Sequence, residues 1–266
     1  MTDEALIDRL LAEQDAYRSA PPSALPRAIR MVAKPVSMLT SRLIPAEAIE
    51  AVLRGADWAA SASIRRAAIT HDFSDLQACE DAAAEIRRWA LGYAVTGGGA
   101  AGAFGAIGLA VDVPATITLA LRTARLTGLC YGFGGDGVEE RVFILDILQL
   151  AGANSVEEKQ TALQRLAEDR SQLPTETWGR IVKLTGQTAG AQATAHRVAR
   201  VLGVNLSTRK VAQLAPLVGA AIGAGVNAAF QNDVAQASRH AYRERWLTVN
   251  EGIVRGEIVK HREGDS

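Results

Sequence analysis

Residues that could catalyse a reaction are not arranged in a known catalytic spacing. The four histidines stand far apart, at His71, His196, His240 and His261. None belongs to the HExxH pattern that holds a zinc ion, and no GxSxG pattern presents a nucleophilic serine. The acidic pairs at 139–140 and 157–158 suit first turns of helices, where the helix dipole favours negative charge. We therefore predict no catalytic residue, no metal ligand and no cofactor.

One glycine cluster, residues 97–102, has the GxGxxG spacing of a dinucleotide-binding loop. That site also needs an acidic residue about 20 positions further on, at the end of a second strand. Asp112 comes too early, and no alternation of strands and helices follows. A phosphate-binding P-loop is excluded as well, because no Lys-Ser/Thr pair follows the glycines. We expect these glycines to serve packing instead.

Four polar residues within or near two long uncharged stretches are the candidates for an interaction role: Asp112, Arg122, Lys210 and Asn227. Buried charges persist only when they are paired and hydrogen-bonded. Asp112 lies two residues before Pro114, so it is either the N-terminal cap of a helix or the partner of Arg122 or Lys210. For Asn227 we expect a hydrogen bond to a helix backbone.

The two uncharged stretches are residues 89–111 and 211–232, and both are rich in glycine and alanine. Each contains a GxxxG pair that places two glycines on one helix face, namely Gly98 with Gly102 and Gly219 with Gly223. Such faces let two backbones approach closely, which predicts a buried hairpin of small-residue helices. The functional alternative is a hairpin that docks on a membrane. Both stretches are long enough to span a bilayer but lack the Leu, Ile, Phe and Val density that favours insertion.

These candidates must be positioned by helices, because apolar residues recur at three- and four-residue spacing and alternating strands are nearly absent. We predict a first helix at 3–18 and capping boxes at Ser74–Gln77, Asp136–Glu139 and Ser155–Glu158. Further predicted helices begin near Asp112–Pro114, near Pro174 and beyond Pro216. The fold class is therefore all-α, a compact multi-helix bundle with a central glycine-rich helical hairpin.

Composition narrows the partners and the location. Lys+Arg and Asp+Glu number 29 each, so no basic stripe is available for a nucleic-acid backbone. The two cysteines are too few for a disulfide framework, and the acidic N-terminus does not resemble a signal peptide. We expect a cytoplasmic protein. The mildly basic stretch 238–262 is either a solvated helix end and tail or a contact for anionic lipid headgroups.

A family resemblance covers about residues 60 to 250. It is carried by the run AVTGGGAAGAFGAIGLAVDVPATITLALRTARLTGLCYGF, by EERVFILDIL, and by KVAQLAPLVGAAIGAGVNAAFQNDVAQASRHAYRERWL. The sequence resembles the bacterial EcsC family, whose name reflects an ABC-transporter locus. The resemblance implies an all-helical protein working near the inner face of the cytoplasmic membrane. It supplies no active-site residue.

Together these observations predict three parts: an N-terminal helical arm and linker at 1–45, an EcsC-like helical domain at 46–250 and a tail at 251–266. We expect a non-enzymatic protein that is peripherally attached to the membrane and acts through membrane lipid or a membrane-protein partner. Two alternatives stay open. One is a hydrolase-type enzyme whose site is not visible in the sequence, and the other is an integral protein that inserts both glycine-rich stretches. The sequence leaves the oligomeric state open.

Overall fold

A computed structural model describes residues 4–22, 70–102, 105–134, 138–171, 196, 198–199, 202, 219–254 and 257–258. Within helices and strands, the side chains of 97–102, 105–113, 138, 168–171, 219–224, 254 and 257–258 lie outside this description. The described chain forms six α-helices: α1 Glu4–Ser19, α2 Leu76–Gly102, α3 Gly105–Cys130, α4 Val138–Gly152, α5 Val156–Ser171 and α6 Gly219–Glu251. A two-stranded antiparallel ladder, β1 Ile253–Val254 and β2 Glu257–Ile258, follows α6. The all-α prediction is confirmed.

Helix α6 is the central element of the bundle. It is 33 residues long, about 50 Å at 1.5 Å per residue, and packs most extensively against α2. Helices α3 and α4 also pack on α6, and α5 packs on α4. The shared core contains Leu76 of α2, Ile147 of α4 and Trp246 of α6, together with Leu10 of α1. Helix α1 is thus docked on the body of the bundle.

The predicted helix entry at Asp112–Pro114 is wrong, because α3 already begins at Gly105 and Pro114 lies inside it. An internal proline costs about 3 kcal/mol or more through its missing N–H and its clash with the preceding turn. Ile117 and Leu121 of the same helix are buried in the core, and each contributes about 1.5–3 kcal/mol when fully buried. Packing therefore outweighs the local penalty, and Asp112 does not cap a helix.

The first glycine-rich stretch is not a single helix. It supplies the last part of α2, up to Gly102, and the first part of α3, from Gly105. The second stretch supplies the beginning of α6, from Gly219. The central hairpin made of these two stretches stays a prediction, since the surroundings of their glycine pairs lie outside the described residues.

Two helix starts show how the caps work. The Ser74–Gln77 box is wrong by one position, because the Asp75 carboxylate accepts the hydrogen bond from the Ala78 N–H at 3.1 Å. Ser155 does cap α5, since its hydroxyl accepts the Glu158 N–H at 3.2 Å. The Glu158 carboxylate reaches back one residue further than a capping box requires and accepts the Asn154 N–H at 2.8 Å. Asp136 and the start of the Pro174 helix lie outside the described residues.

Candidate functional site

Helices α2 and α6 lie antiparallel in a regular register. Trp246 donates its indole N–H to the Phe73 carbonyl at 2.7 Å, and Arg239 bonds Glu80 at 2.5 Å. Arg87 then donates to the Asn232 side-chain oxygen at 2.8 Å. Each step of seven residues forward along the chain from Phe73 is matched by a step of seven backward along α6. Extended by two more steps, this register brings the end of α2 level with the start of α6.

Helix α3 joins the same arrangement. Tyr131, directly after α3, bonds Glu80 at 2.5 Å, and the Arg122 guanidinium lies 5.0 Å from the Trp89 ring centre. Trp89 lies nine residues after Glu80, and Arg122 lies nine residues before Tyr131. Helices α2 and α3 are therefore also antiparallel. The uncharged parts of α2, α3 and α6 therefore meet at one end of the bundle. We call residues 89–102, 105–111 and 219–232 the uncharged end.

Apart from Asp112 on α3, charge stops at nearly the same level on all three helices. The charged residues at that level are Arg88 on α2, Arg122 on α3 and Asp233 on α6. By the register above, these three positions lie within about one helical turn of a common level. Asp112 is an acidic residue beyond that level, seven residues or about 10 Å along α3 from Gly105.

The exposed face of α2 changes from charged to uncharged residues at the same level. Asp81, Glu85 and Arg88 are exposed on the charged side. Beyond them the exposed positions are Gly92, Tyr93, Val95 and Thr96. Tyr93 is 58% exposed and Val95 51% exposed. Along residues 89–96, the described part of α2 at the uncharged end, the exposed side chains are therefore uncharged.

A ladder of neutral polar groups joins α3 to α6 next to the uncharged end. Gln231 donates to the Thr116 carbonyl at 2.9 Å, and Thr123 donates to the Gln231 side-chain oxygen at 3.5 Å. The Thr116 hydroxyl contacts the Asn227 side-chain oxygen at 3.4 Å. Asn227 was expected to bond a helix backbone. Gln231, one turn further along α6, makes that kind of bond, and the backbone bond of Asn227 itself stays a prediction.

The other predicted site residues are placed only by their backbone. Gly98 and Gly102 lie in α2, Gly219 and Gly223 in α6, and Asp112 in α3, while Lys210 lies outside the described residues. The register brings the two glycine pairs to the same level, and their facing contact stays a prediction. The pairing of Asp112 also stays a prediction. About 15 Å of helix separates it from Arg122, whose guanidinium stacks on Trp89.

A buried polar cluster that the sequence did not predict occupies the opposite half of the bundle. We call Glu80, Tyr131, Arg239 and Arg243 the polar cluster. Arg243 is completely buried and donates two hydrogen bonds of 2.6 Å to Glu80, which is 3% exposed. Burial opposes ionisation of Glu80, but hydrogen bonds and charges of Arg243, with the charge of Arg239, keep its pKa below the usual value. Burial beside Glu80 raises the pKa of Tyr131 well above its usual value. The cluster therefore holds a carboxylate, a neutral phenol and two arginines.

The basic stretch at 238–262 takes a different role from the predicted lipid contact in its helical part. Arg243 and Arg239 bind Glu80, and Arg245 binds Glu140 at 2.7 Å. Tyr242 also donates to Glu140, at 2.6 Å. Arg239 and Arg243 reach the same carboxylate because residues four apart share one face of α6. The four-residue spacing of Arg239 and Arg243 was the signal in the sequence that could have indicated a shared acidic partner.

Helix α1 is fastened to α6 by a second group of polar contacts. The Gln14 side chain donates to the His240 carbonyl at 3.1 Å and accepts from the His240 ring at 2.7 Å. Arg18 pairs with Glu244 at 2.6 Å, and the Tyr17 ring stacks on His240 with centres 4.0 Å apart. Burial, followed by nearby cations including Arg243, lowers the pKa of His240 to about 2. His240 is therefore neutral at physiological pH and serves packing.

The described residues include neither a cluster of metal ligands nor a membrane-spanning helix. Within them, no group of three or more His, Cys, Asp or Glu side chains is placed to hold a metal ion. In the same part of the chain, no helix combines the length and apolar character needed to cross a bilayer. Cys79 and Cys130 are buried free thiols.

A comparison with known protein families identifies the family of this chain. The sequence profile of the EcsC protein family matches residues 18–247. The chain belongs to the EcsC protein family. The family match begins earlier than the resemblance seen in the sequence and includes the end of α1. No solved structure matches the chain significantly.

A curated relative extends the comparison. This EcsC chain is 30% identical over 153 residues to a protein of Bacillus subtilis (strain 168) named as the uncharacterized protein YdbA. The matched region covers 56% of this chain and 50% of YdbA, so the chain spans about half the length of that relative.

Proposed function

We propose that this EcsC protein is a peripheral membrane protein that docks its uncharged end on a phospholipid surface. The observation that carries the proposal is the common level at which charge stops on α2, on α6 and, apart from Asp112, on α3. Below that level, the exposed face of α2 carries Tyr93 and Val95 instead of the charged residues above it. An apolar surface bounded by charge is typical of membrane and protein contacts.

The dimensions favour docking over spanning. From Trp89 to Gly102, helix α2 extends about 20 Å, whereas a hydrocarbon core is about 30 Å thick. Asp112 lies about 10 Å from the start of α3, and a charged carboxylate in the hydrocarbon costs about 2.5–3.5 kcal/mol at the centre. We therefore expect the uncharged end to enter by about 10 Å, the depth typical of interfacial helices.

The aromatic residues support the same orientation. Trp89 and Tyr93 have ring centres 5.1 Å apart, directly beside the last charged residues. Trp and Tyr are enriched at the headgroup level of membranes because their rings are partly apolar and partly polar. With about 10 Å in the hydrocarbon, the remaining length of about 10 Å of α2 reaches across a headgroup layer of about 5–8 Å. Tyr93, about 6 Å nearer to Gly102, would then lie among the headgroups, and Trp89 on their water-facing side.

The polar clusters support a non-enzymatic role. Glu80 and Arg243 are closed off from solvent and satisfy each other, and His240 stays neutral. A general acid or base needs a pKa near the working pH and access to a substrate. Free thiols at Cys79 and Cys130 support a location in a reducing compartment, hence our proposal of the inner face of the cytoplasmic membrane.

Flotation of the full chain with phosphatidylglycerol vesicles tests the proposal. Val95→Asp places a charge on the exposed surface of the uncharged end, and we expect about a tenfold loss of binding, the equivalent of about 1.4 kcal/mol. Val249→Asp is the matched control, because Val249 is 65% exposed at the opposite end of α6. Equal binding by the wild type and Val95→Asp, or no wild-type binding at all, would overturn the proposal.

A further inference from the structure

Few side chains bury helix α1 against the bundle. Among its 16 residues, Leu10 and Gln14 are the buried ones. The family profile matches from residue 18, so nearly all of α1 lies outside the matched region. Isolated helices of about this length are marginal in water. Helix α1 therefore depends on its docking to keep its backbone hydrogen bonds, and its release would be visible as their loss.

The ring of His240 lies at the centre of the contact between α1 and α6. The Tyr17 ring stacks on it with centres 4.0 Å apart, and its Nδ1 atom lies 2.7 Å from the Gln14 side-chain oxygen. His240 is 6% exposed. Both of these contacts come from α1, so removal of α1 would return the ring to water.

Four cations face the ring and would repel a positive charge on it. Arg18 comes from α1, Lys159 from α5, and Arg239 and Arg243 from α6. The acidic groups of this region already interact with these cations, namely Glu13, Glu80, Glu244 and, through its charge, Asp233. While α1 is docked, burial followed by these cations lowers the pKa of His240 to about 2, whereas an exposed histidine has a pKa of about 6.5.

We propose that α1 is an arm released by acid, because its docking on α6 requires a neutral His240. When α1 leaves, the ring is hydrated and can take up a proton. A base whose pKa is lowered in the docked form favours docking above its free pKa, and this contribution is lost as the pH falls. Below about pH 6.5, each pH unit shifts the equilibrium up to about tenfold toward release. Release also takes the Leu10 carbonyl away from Arg243, which it contacts at 3.3 Å, and opens this charged part of α6 to solvent.

Hydrogen–deuterium exchange of the full chain, followed by mass spectrometry, detects even a small released fraction. Protection of the α1 amides, normalised to the exchange rate of the unfolded chain at each pH, should fall about 30-fold from about pH 7.5 to 5. This range stays above the ordinary pKa values of Asp and Glu, about 3.9 and 4.3. The amides of α2 and α4 should keep their protection, because only α1 leaves.

Three variants assign the effect to His240. His240→Phe keeps a ring for Tyr17 to stack on but cannot titrate, so its α1 protection should change less than about threefold over the same range. His240→Asn is a second variant that cannot titrate, and it decides if the phenylalanine variant fails to fold. His71→Gln is the matched control, because the His71 ring contacts the Cys130 carbonyl, and it should show the full decrease.

The outcomes separate release of α1 from opening of the whole bundle. Constant α1 protection in the wild type, or an equal decrease in the wild type and in the variants of His240, would overturn the proposal. An equal decrease in α1, α2 and α4 would overturn it as well, because the bundle would then open as one unit. None of these results affects the proposed membrane docking, since the experiment contains no lipid.

Discussion

Neutralising Glu80 should destabilise the fold strongly. In the Glu80→Gln variant, the fully buried Arg243 loses the carboxylate that accepts two of its hydrogen bonds at 2.6 Å. Arg239 and Tyr131 lose the same acceptor charge. Breaking a buried ion pair by removing one partner costs about 3–5 kcal/mol. A chain of this size loses about 2–4 °C in melting temperature per kcal/mol, which gives a decrease of about 6–20 °C.

Urea unfolding followed by far-ultraviolet circular dichroism measures this loss. Glu85→Gln is the matched control on the same helix, because Glu85 is 74% exposed and its ion pair with Arg88 is 3.5 Å long. Exposed pairs of this kind contribute at most about 1 kcal/mol. A loss below about 1 kcal/mol for Glu80→Gln, or equal losses for the two variants, would refute the buried ion pair between Glu80 and Arg243.

The Glu80→Gln variant also gives a pH test. The pKa of Glu80 is lower in the folded protein than in the unfolded chain, where it is about 4.3. Its stabilising contribution is therefore complete above the unfolded pKa and is lost as the pH falls through the folded pKa. Below about pH 4, the stability difference between the wild type and Glu80→Gln should shrink. A difference that stays constant down to the acid transition would contradict this.

Two other predictions concern residues near the same helices. Gly128→Ala should destabilise the protein by about 1–3 kcal/mol, because a Cβ atom there would lie 2.6 Å from Tyr242 and 2.9 Å from a backbone carbonyl. Gly92→Ala should instead stabilise α2 by about 0.5–1 kcal/mol, because the space around Gly92 is open. Chemical denaturation of both variants measures the two free-energy changes. His240, with a pKa lowered to about 2, should show no NMR titration between about pH 4 and 8, and its contribution to stability should decline as the pH falls below the unfolded value of about 6.5. A ring signal from His240 that titrates near about pH 6 would show that the ring is solvated.

Helix content was predictable because local signals and packing agree in several elements. The Ser155 cap and the apolar spacing of α1 are examples, since each needs only neighbouring residues. Pro114 was misleading because its local penalty is real but smaller than the burial of the helix around it. Asp75 was missed in favour of Ser74 because two possible caps stand side by side, and only the geometry of the turn selects one.

The polar cluster and the border of the uncharged end could not be predicted in this way. Glu80 meets Arg243 from 163 residues away, so no local spacing indicates the pair. Arg122 was singled out as a charge near an uncharged stretch, but its contact with Trp89 depends on the register between α2 and α3. The sequence contained the residues of this contact without indicating that they meet.

The seven-residue steps between α2 and α6 have a consequence for assembly of the bundle. Two helices that repeat a contact every seven residues can in principle slide past each other by whole turns. Small residues near Gly98 and Gly219 offer almost nothing to oppose a slide, because one small residue resembles the next. The bonds of Trp246, Arg239 and Arg87 do oppose it, since a shifted α6 would leave Glu80 facing the wrong residue. The charged half of the bundle thus determines how the featureless half aligns.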